Sequence, residues 1–251
     1  MVLRNADISD INITMVTDWQ VCYQAPMENY AGAHASGRGT GPSSRPRRGR
    51  PAATRARLLA AAAREFNRVG YHGTDSNRLA RAAGYAPGTF YKHFADKRAI
   101  FLAVYEAWVT AEWAAVGRAL RAGGRPDEIA TRVVEMVLRL HRRWRGLRAS
   151  LRALVAADPV ARKFYRGQRR RQLELLASFR AARRVREADA VMLYTLERVC
   201  DAVADGELRE LGLAVEPTVA LLRDLILPVV RGGGVARRPP AGRRSTRSVK
   251  A

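Results

Sequence analysis

Residues 70–97 constrain the fold of this chain more than any other segment, because two short helical patterns lie there on either side of a tight turn. The first pattern begins at about Thr74, a residue type that caps helix N-termini. Gly84 ends it, since glycine adopts the left-handed conformation that stops a helix. The second pattern begins at Pro87, which suits a first helical turn. Two short helices around a glycine turn predict a helix-turn-helix motif.

The second helix of this motif has an apolar side and a basic side. Phe90 and Phe94 are four residues apart, so they share the side that points inward. The other side carries hydroxyl, imidazole and ammonium groups, which suit contacts with a polyanion. A helical pattern from about Ala53 to Val69 precedes the motif. A longer one follows it, starting after Asp96, a residue type that caps helix N-termini.

In this context residues 54–105 resemble the TetR-type (tetracycline-repressor-like) transcriptional regulators. The resemblance implies an all-α protein: an N-terminal three-helix helix-turn-helix head, joined by a long fourth helix to a C-terminal helical body for ligand binding and dimerisation. Asp75 and Ala86 depart from the family pattern, where a second Thr and a capping Ser are common. The residues that carry the resemblance are Gly70-Tyr71, Thr74, Leu79-Ala80, Ala83-Gly84, Gly88-Thr89-Phe90-Tyr91, Phe94 and Lys97.

The motif predicts which side chains contact DNA. Phosphate contacts are expected from Thr74, Tyr91, His93 and Lys97. Base edges are expected to face Pro87, Gly88, Thr89 and Lys92. That face has no Asn, Gln or Arg for a bidentate base contact, so we expect discrimination to depend on Lys92, the Thr89 methyl group and DNA shape.

The charge distribution supports a polyanionic partner. The net charge is +22 and the pI about 11.4. Residues 43–100 hold 13 Lys or Arg against 3 Asp or Glu, and residues 231–251 hold 7 against none. These two segments contribute most of the excess, whereas residues 101–230 have the charge balance of an ordinary solvated surface.

The flanking segments divide the chain. Residues 1–42 are predicted to be a disordered extension, and a second hypothesis is that the native start lies at Met27 or later. Residues 43–52 form a basic arm in which Arg48 and Arg50 match the core of an AT-hook that lies in the minor groove; the alternative is a solubilising linker. The remaining predicted units are the DNA-binding domain 53–98, the ligand-binding and dimerisation domain 99–231, and the disordered basic tail 232–251.

The body is predicted to contain helices at about 97–121, 126–144, 147–156, 159–181, 188–204 and 217–230. The last two are apolar around most of their circumference, so each must be buried on more than one side. A partner subunit is the expected cover, and the resemblance implies a four-helix interface from these helices. The predicted interface residues are Val191, Val199, Val203, Leu221, Leu222, Leu225 and Ile226.

Aromatic residues of the body have two interpretations. Aromatics at helical spacing usually belong to a core. The resemblance implies instead a ligand pocket between the fourth, fifth, seventh and eighth helices. The candidate pocket residues are Trp108, Trp113, Met136, Trp144, Phe164, Tyr165 and Tyr194.

The sequence argues against an enzyme. Its four His and two Cys residues match no metal-ligand or disulfide spacing, and no nucleophile–base signature or phosphate-binding glycine loop is present. We therefore predict no metal and no cofactor. No stretch reaches the about 18 apolar residues of a membrane span, so we expect a cytoplasmic, nucleoid-associated protein.

Together with the charge distribution, the resemblance implies a homodimeric regulator that acts as a repressor, binds a pseudo-palindromic operator and leaves it when a small, largely apolar effector binds. The alternative is an architectural protein that coats A·T-rich DNA through its basic tails, with the helical body serving only dimerisation.

Overall fold

The computed structural model describes residues 51–179 and 185–232, and within them it contains helices and no strand. The first three helices form a small head and the others form the body. The helices are α1 Pro51–Val69, α2 Ser76–Ala82, α3 Pro87–Tyr91, α4 Lys97–Arg121, α5 Pro126–Arg143, α6 Arg145–Ala157, α7 Pro159–Phe179, α8 Glu187–Asp205, α9 Glu207–Glu210 and α10 Val215–Gly232. The predicted all-α class is thereby confirmed.

Several boundaries differ from the prediction. Helix α1 begins at Pro51, so the last two residues of the predicted arm are helical. Helix α3 ends at Tyr91, three residues before the expected end, although Phe94 still donates its N–H to the Phe90 carbonyl at 3.0 Å. The short helix α9 was not predicted, because four residues are too few to show a period. The predicted extension, most of the arm and nearly all of the basic tail lie outside the described residues.

Helix α4 joins the head to the body. Asp96 caps it as predicted, since its carboxylate accepts the Ala99 N–H at 2.6 Å. Its first half packs into a core with α1, α2, α3 and α6, which includes Phe66, Phe90 and Phe101. Its second half reaches a separate cluster built from α5, α8 and α10. One rigid element therefore contacts both regions.

Helix α4 is long and apolar enough to cross a membrane, by length and composition alone. The sequence predicted no such stretch. In that apolar window 44% of the residues are buried inside the protein. The contacts of α4 with both clusters are those of a core helix.

Candidate nucleic-acid interface and body cavity

Asp75 caps α2, the first helix of the motif. The predicted cap, Thr74, was wrong. The Asp75 carboxylate accepts the Arg78 N–H at 2.8 Å, and this hydrogen bond holds the pKa of the carboxyl below its usual range. The Thr74 side chain is buried at 6% exposure, and its hydroxyl has no hydrogen-bond partner among the described residues. Either residue type can cap a helix, and the burial of Thr74 decides between them.

The turn between α2 and α3 is held by a Schellman motif. Gly84 has φ of 79°, as predicted for the residue that ends α2. Its N–H donates to the Arg81 carbonyl at 2.9 Å, and the Tyr85 N–H donates to the Ala80 carbonyl at 2.9 Å. These two bonds satisfy carbonyls that the helix end leaves open. They fix the direction in which the chain leaves α2 and so orient α3.

Helix α3 presents a compact outer surface. Phe90 and Phe94 are buried at 0% and 6% exposure, which confirms the predicted inward side. Among the predicted base-contacting residues, Pro87, Gly88 and Lys92 are exposed and Thr89 is half-buried. Among the predicted phosphate contacts, Tyr91 is 56% exposed and His93 is half-buried.

The N-terminal side of this surface has little bulk. A Cβ at Gly88 would meet nothing within 4 Å, and Ala86 makes no side-chain cap. The backbone at this end of α3 is therefore accessible to a groove.

Lys97 is engaged inside the protein. Its ammonium donates to the Tyr71 and Thr74 carbonyls, both at 2.9 Å, and lies 4.3 Å from the centre of the Tyr71 ring. Two of its three N–H donors thus tie the loop before α2 to the start of α4. The neighbouring Arg98 pairs with Asp158 at 2.9 Å. The sequence did not predict these internal partners.

The head is fastened to the body chiefly through α1 and α6. The Asn67 side chain donates to the Arg143 carbonyl at 2.8 Å and accepts the Leu147 N–H at 3.2 Å. The helices approach so closely that a Cβ at Gly146 would lie 2.0 Å from the Asn67 carbonyl oxygen. Ser150 accepts the Tyr71 N–H at 2.9 Å. A displacement of α6 must therefore move the head.

The head has the sequence of a known DNA-binding domain. Residues 58–104 match the model of the bacterial regulatory proteins, tetR family. Residues 58–104 therefore form a DNA-binding domain of the TetR family. No curated protein sequence matches the chain.

Solved structures share the fold of this chain over more than the head alone. Salmonella enterica GusR is 21% identical, with a TM-score of 0.54 over 73% of this chain and 98% of GusR. A transcriptional regulator from Saccharomonospora viridis in complex with choline is 24% identical, with a TM-score of 0.54 over 68% of this chain and 94% of the other. The fatty acid degradation regulator FadR from Bacillus halodurans is 17% identical, with a TM-score of 0.52 over 69% and 94% of the two chains. At these identities the similarity establishes the fold.

The helical body contains a buried ionic cluster around Asp201. Its carboxylate accepts hydrogen bonds from His141 Nδ1 at 2.9 Å, Arg148 Nε at 2.5 Å and Arg152 Nη1 at 2.6 Å. Burial alone would raise the pKa of the Asp201 carboxyl, but the hydrogen bonds from His141 and Arg148 hold it well below its usual range. Asp201 is therefore an ionised acceptor.

A second buried pair adjoins this cluster. Arg169 pairs with Glu197, contacts the Tyr165 hydroxyl and donates to Gln172 Oε1 at 2.9 Å. Arg148 approaches the same Glu197 carboxylate at 3.9 Å. The two buried arginines are thus each matched to a carboxylate, as buried charges require.

An apolar cavity of about 90 Å³ lies beside the cluster. It is bounded by α4, α5, α7, α8 and α10, and its polar lining residues are Glu112, His141, Glu197 and Cys200. Its other lining residues are apolar, among them Trp113, Phe179, Val133 and Ile226.

Of the seven predicted pocket residues, only Trp113 lines this cavity. Trp108, Met136 and Trp144 belong to the hydrophobic core, against which Phe164 also packs. Tyr165 and Tyr194 line a separate, more open groove of about 430 Å³. Aromatic spacing did not separate core from cavity, because both lie on the inward side of a helix.

Burial shifts the pKa of two titratable groups in the cavity wall, Glu112 and His141. It raises the pKa of Glu112 to about 7, although Arg148 and Arg169 act in the opposite direction. It lowers the pKa of His141 to about 4, although the hydrogen bond with Asp201 opposes this. At neutral pH the imidazole is therefore neutral.

The predicted interface residues separate into two groups. Val203, Leu222 and Ile226 are core residues of the protomer, packed against α5, and cannot meet a partner. Val191 and Leu221 are 66% and 70% exposed, and Val199 and Leu225 are half-buried. Pattern analysis grouped them together because α10 is apolar on both its inner and its outer side.

Sequence analysis missed the buried polar residues of the body. Glu112, His141, Arg148 and Asp201 come from four different helices and have no shared spacing. One signal was available: Asp201 interrupts the apolar run from Val199 to Val203 in α8. A charged residue in such a position indicates a buried partner. Arg48 and Arg50 lie outside the described residues.

Proposed function

We propose that this TetR-type chain is a homodimeric, sequence-specific transcriptional repressor that a small molecule releases from its operator. The observation that carries the proposal is the outer surface of α3, which is exposed, basic and held in one direction by the Schellman turn. Two such helices in a dimer would enter successive major grooves of a pseudo-palindrome, about 34 Å apart. The protein would act in the cytoplasm, without enzymatic activity.

On this surface we assign base edges to Pro87, Gly88, Thr89 and Lys92, and phosphates to Tyr91 and His93. Lys97 keeps one N–H donor for a phosphate. The buried Thr74 hydroxyl is left out of the set. Arg48 and Arg50 remain the proposed minor-groove arm.

The dimer surface is proposed on the outer sides of α8 and α10. These helices contact each other, and their exposed apolar side chains include Val191, Tyr194 and Leu221. Large exposed apolar side chains on adjacent helices are typical of a surface that a partner covers. Leu225 and Val199, which are half-buried, would lie at its inner margin.

Effector release is proposed to act through α4 and α6. Helix α4 lines the cavity through Glu112 and Trp113 and holds the head through Lys97. A ligand that binds more tightly to a dimer whose two heads are wrongly spaced for the operator would weaken DNA binding. DNA would then weaken ligand binding by the same factor. The choline found with the Saccharomonospora viridis protein supports a small-molecule site in this fold.

The test is DNA binding by the full chain with one changed side chain. Lys92→Ala should weaken binding to the sequence upstream of its own gene by about 1–3 kcal/mol, and affect random A·T-rich DNA far less. Lys163→Ala is the matched control, because Lys163 is an exposed lysine of α7. Equal losses on both DNAs would refute base contact by Lys92. Equal affinity of the unchanged protein for both DNAs would favour the architectural alternative.

A further inference from the structure

The body cavity has an unbalanced polar lining. Two carboxylates, Glu112 and Glu197, face it, and no Lys or Arg occurs among its described lining residues. Glu197 already has a partner in Arg169. The Glu112 side chain is 11% exposed, and within residues 51–179 and 185–232 its carboxylate accepts no hydrogen bond. A carboxylate buried in this way needs a donor.

The nearest polar atom cannot supply that donor. His141 Nε2 lies 4.0 Å from Glu112 Oε1. The other ring nitrogen, Nδ1, is 2.9 Å from Asp201, an ionised carboxylate that can only accept, so Nδ1 carries the proton. In a neutral imidazole Nε2 is then an acceptor. Two acceptors therefore face each other across the cavity wall, too far apart for a direct hydrogen bond.

An ammonium nitrogen fits between them. A nitrogen about 2.8 Å from each atom can bridge two acceptors at this separation, with one N–H directed to each. Close by, the Trp113 and Phe179 rings stack at 6.4 Å with an interplanar angle of 15°, and both rings line the cavity. Aromatic faces attract cations and also accommodate a hydrocarbon group. The remaining wall is apolar.

We infer that the cavity binds a small protonated amine, whose nitrogen bridges the Glu112 carboxylate and His141 Nε2 and whose hydrocarbon part lies against the apolar wall. The inference rests on the proposed function in one respect: it takes the bound amine to be the effector. An anion is disfavoured by both carboxylates. A neutral hydrocarbon would leave Glu112 without a donor.

The charged groups around Glu112 are accounted for on each packed helix. They are His141 on α5, Arg148 on α6, Arg169 on α7, and Glu197 and Asp201 on α8. Arg148 and Arg169 are each hydrogen-bonded to another carboxylate, so neither serves Glu112. Because burial raises the pKa of Glu112 to about 7, amine binding should strengthen as pH rises through neutrality.

The experiment compares three ligands with a common butyl group: n-butylamine, 1-butanol and pentanoate. Binding to the full chain is measured by calorimetry at pH 8, where millimolar dissociation constants are expected for molecules of this size. Butylamine should bind at least about tenfold more tightly than butanol, since hydrogen bonds to charged groups are the strong ones. At pH 5.5 that preference should fall severalfold. Glu112→Gln should remove it and leave butanol binding unchanged.

Glu106→Gln is the matched control, because Glu106 lies on the same helix but outside the cavity, hydrogen-bonded to Gln168 and Arg171. This variant should keep the amine preference. The inference is overturned if butanol binds as tightly as butylamine, if Glu112→Gln binds butylamine unchanged, or if butylamine fails to bind at about 50 mM.

Operator binding separates this inference from the proposed function. Glu112-dependent amine binding that leaves operator affinity unchanged supports the cavity chemistry and refutes effector release. If butylamine releases the operator from the Glu112→Gln variant at the same concentration as from the unchanged protein, the amine site is overturned and the repressor function stands.

Discussion

Replacing Glu112 by Gln should stabilise the ligand-free protein, by an amount that grows as pH rises from about 4.5 to about 7. Burial raises the pKa of this carboxyl from 4.5 to about 7. The folded state therefore favours the protonated form, and the free energy of unfolding falls as pH rises from about 4.5 to about 7. At about 1.4 kcal/mol per pKa unit the full loss is about 3 kcal/mol. Since the side chain is 11% exposed, we expect about 2–3 kcal/mol.

His141 acts in the opposite direction over a similar range. Its pKa is lowered from 6.5 to about 4, so the folded state favours the neutral form and stability rises with pH between those values. The two effects largely offset each other in the unchanged protein. His141 is present in both proteins, so the difference between variant and unchanged protein isolates Glu112.

The assay is urea unfolding followed by circular dichroism at pH 4.5 and pH 8, at one fixed protein concentration, because dimerisation contributes to apparent stability. The Glu112→Gln variant should match the unchanged protein at pH 4.5 and exceed it by about 2–3 kcal/mol at pH 8. The exposed Glu106→Gln should show no such pH-dependent gain. A variant that is no more stable at pH 8, or equally stabilised at both pH values, would refute the argument from burial.

Two further predictions concern packing and assembly. Gly146→Ala should lower the melting temperature, because its Cβ would lie 2.0 Å from the Asn67 carbonyl oxygen. Gly167→Ala, at an exposed position of α7 with nothing within 4 Å, should be neutral or stabilising by about 1 kcal/mol. A neutral Gly146→Ala would contradict the close contact of α1 and α6. Leu221→Glu should give folded monomers by sedimentation, because Leu221 is 70% exposed, whereas Leu222→Glu should unfold the protomer, because Leu222 is 3% exposed. A dimeric Leu221→Glu would place the interface elsewhere.

Local features of the head were predictable because they involve neighbouring residues. The left-handed Gly84, the Asp96 cap and the inward pair Phe90 and Phe94 depend on contacts within about five residues, which a pattern contains in full. The choice between Thr74 and Asp75 as cap was not of this kind. Both hydroxyl and carboxylate can cap, and packing against the rest of the head buries Thr74.

Contacts between distant segments were decided by the tertiary structure. Lys97 was predicted to hold a phosphate, but the loop before α2 folds back and places two carbonyls on its ammonium. The apolar circumference of α10 predicted burial on more than one side, and the structure shows burial of the side that packs in the protomer core. That pattern did not show that Leu222 and Ile226 face α5 within the protomer while Leu221 remains exposed.

The buried polar residues in and beside the cavity wall illustrate the same limit most clearly. Glu112, His141, Arg148 and Asp201 lie on four helices, and no spacing along the chain relates them. Composition, caps and periodicity determine that this chain forms helices and a helix-turn-helix head, because those signals are local. Which charges meet in the body, and which carboxylate is left without a donor, depends on how the helices pack, because burial and hydrogen-bond partners are properties of the assembled core.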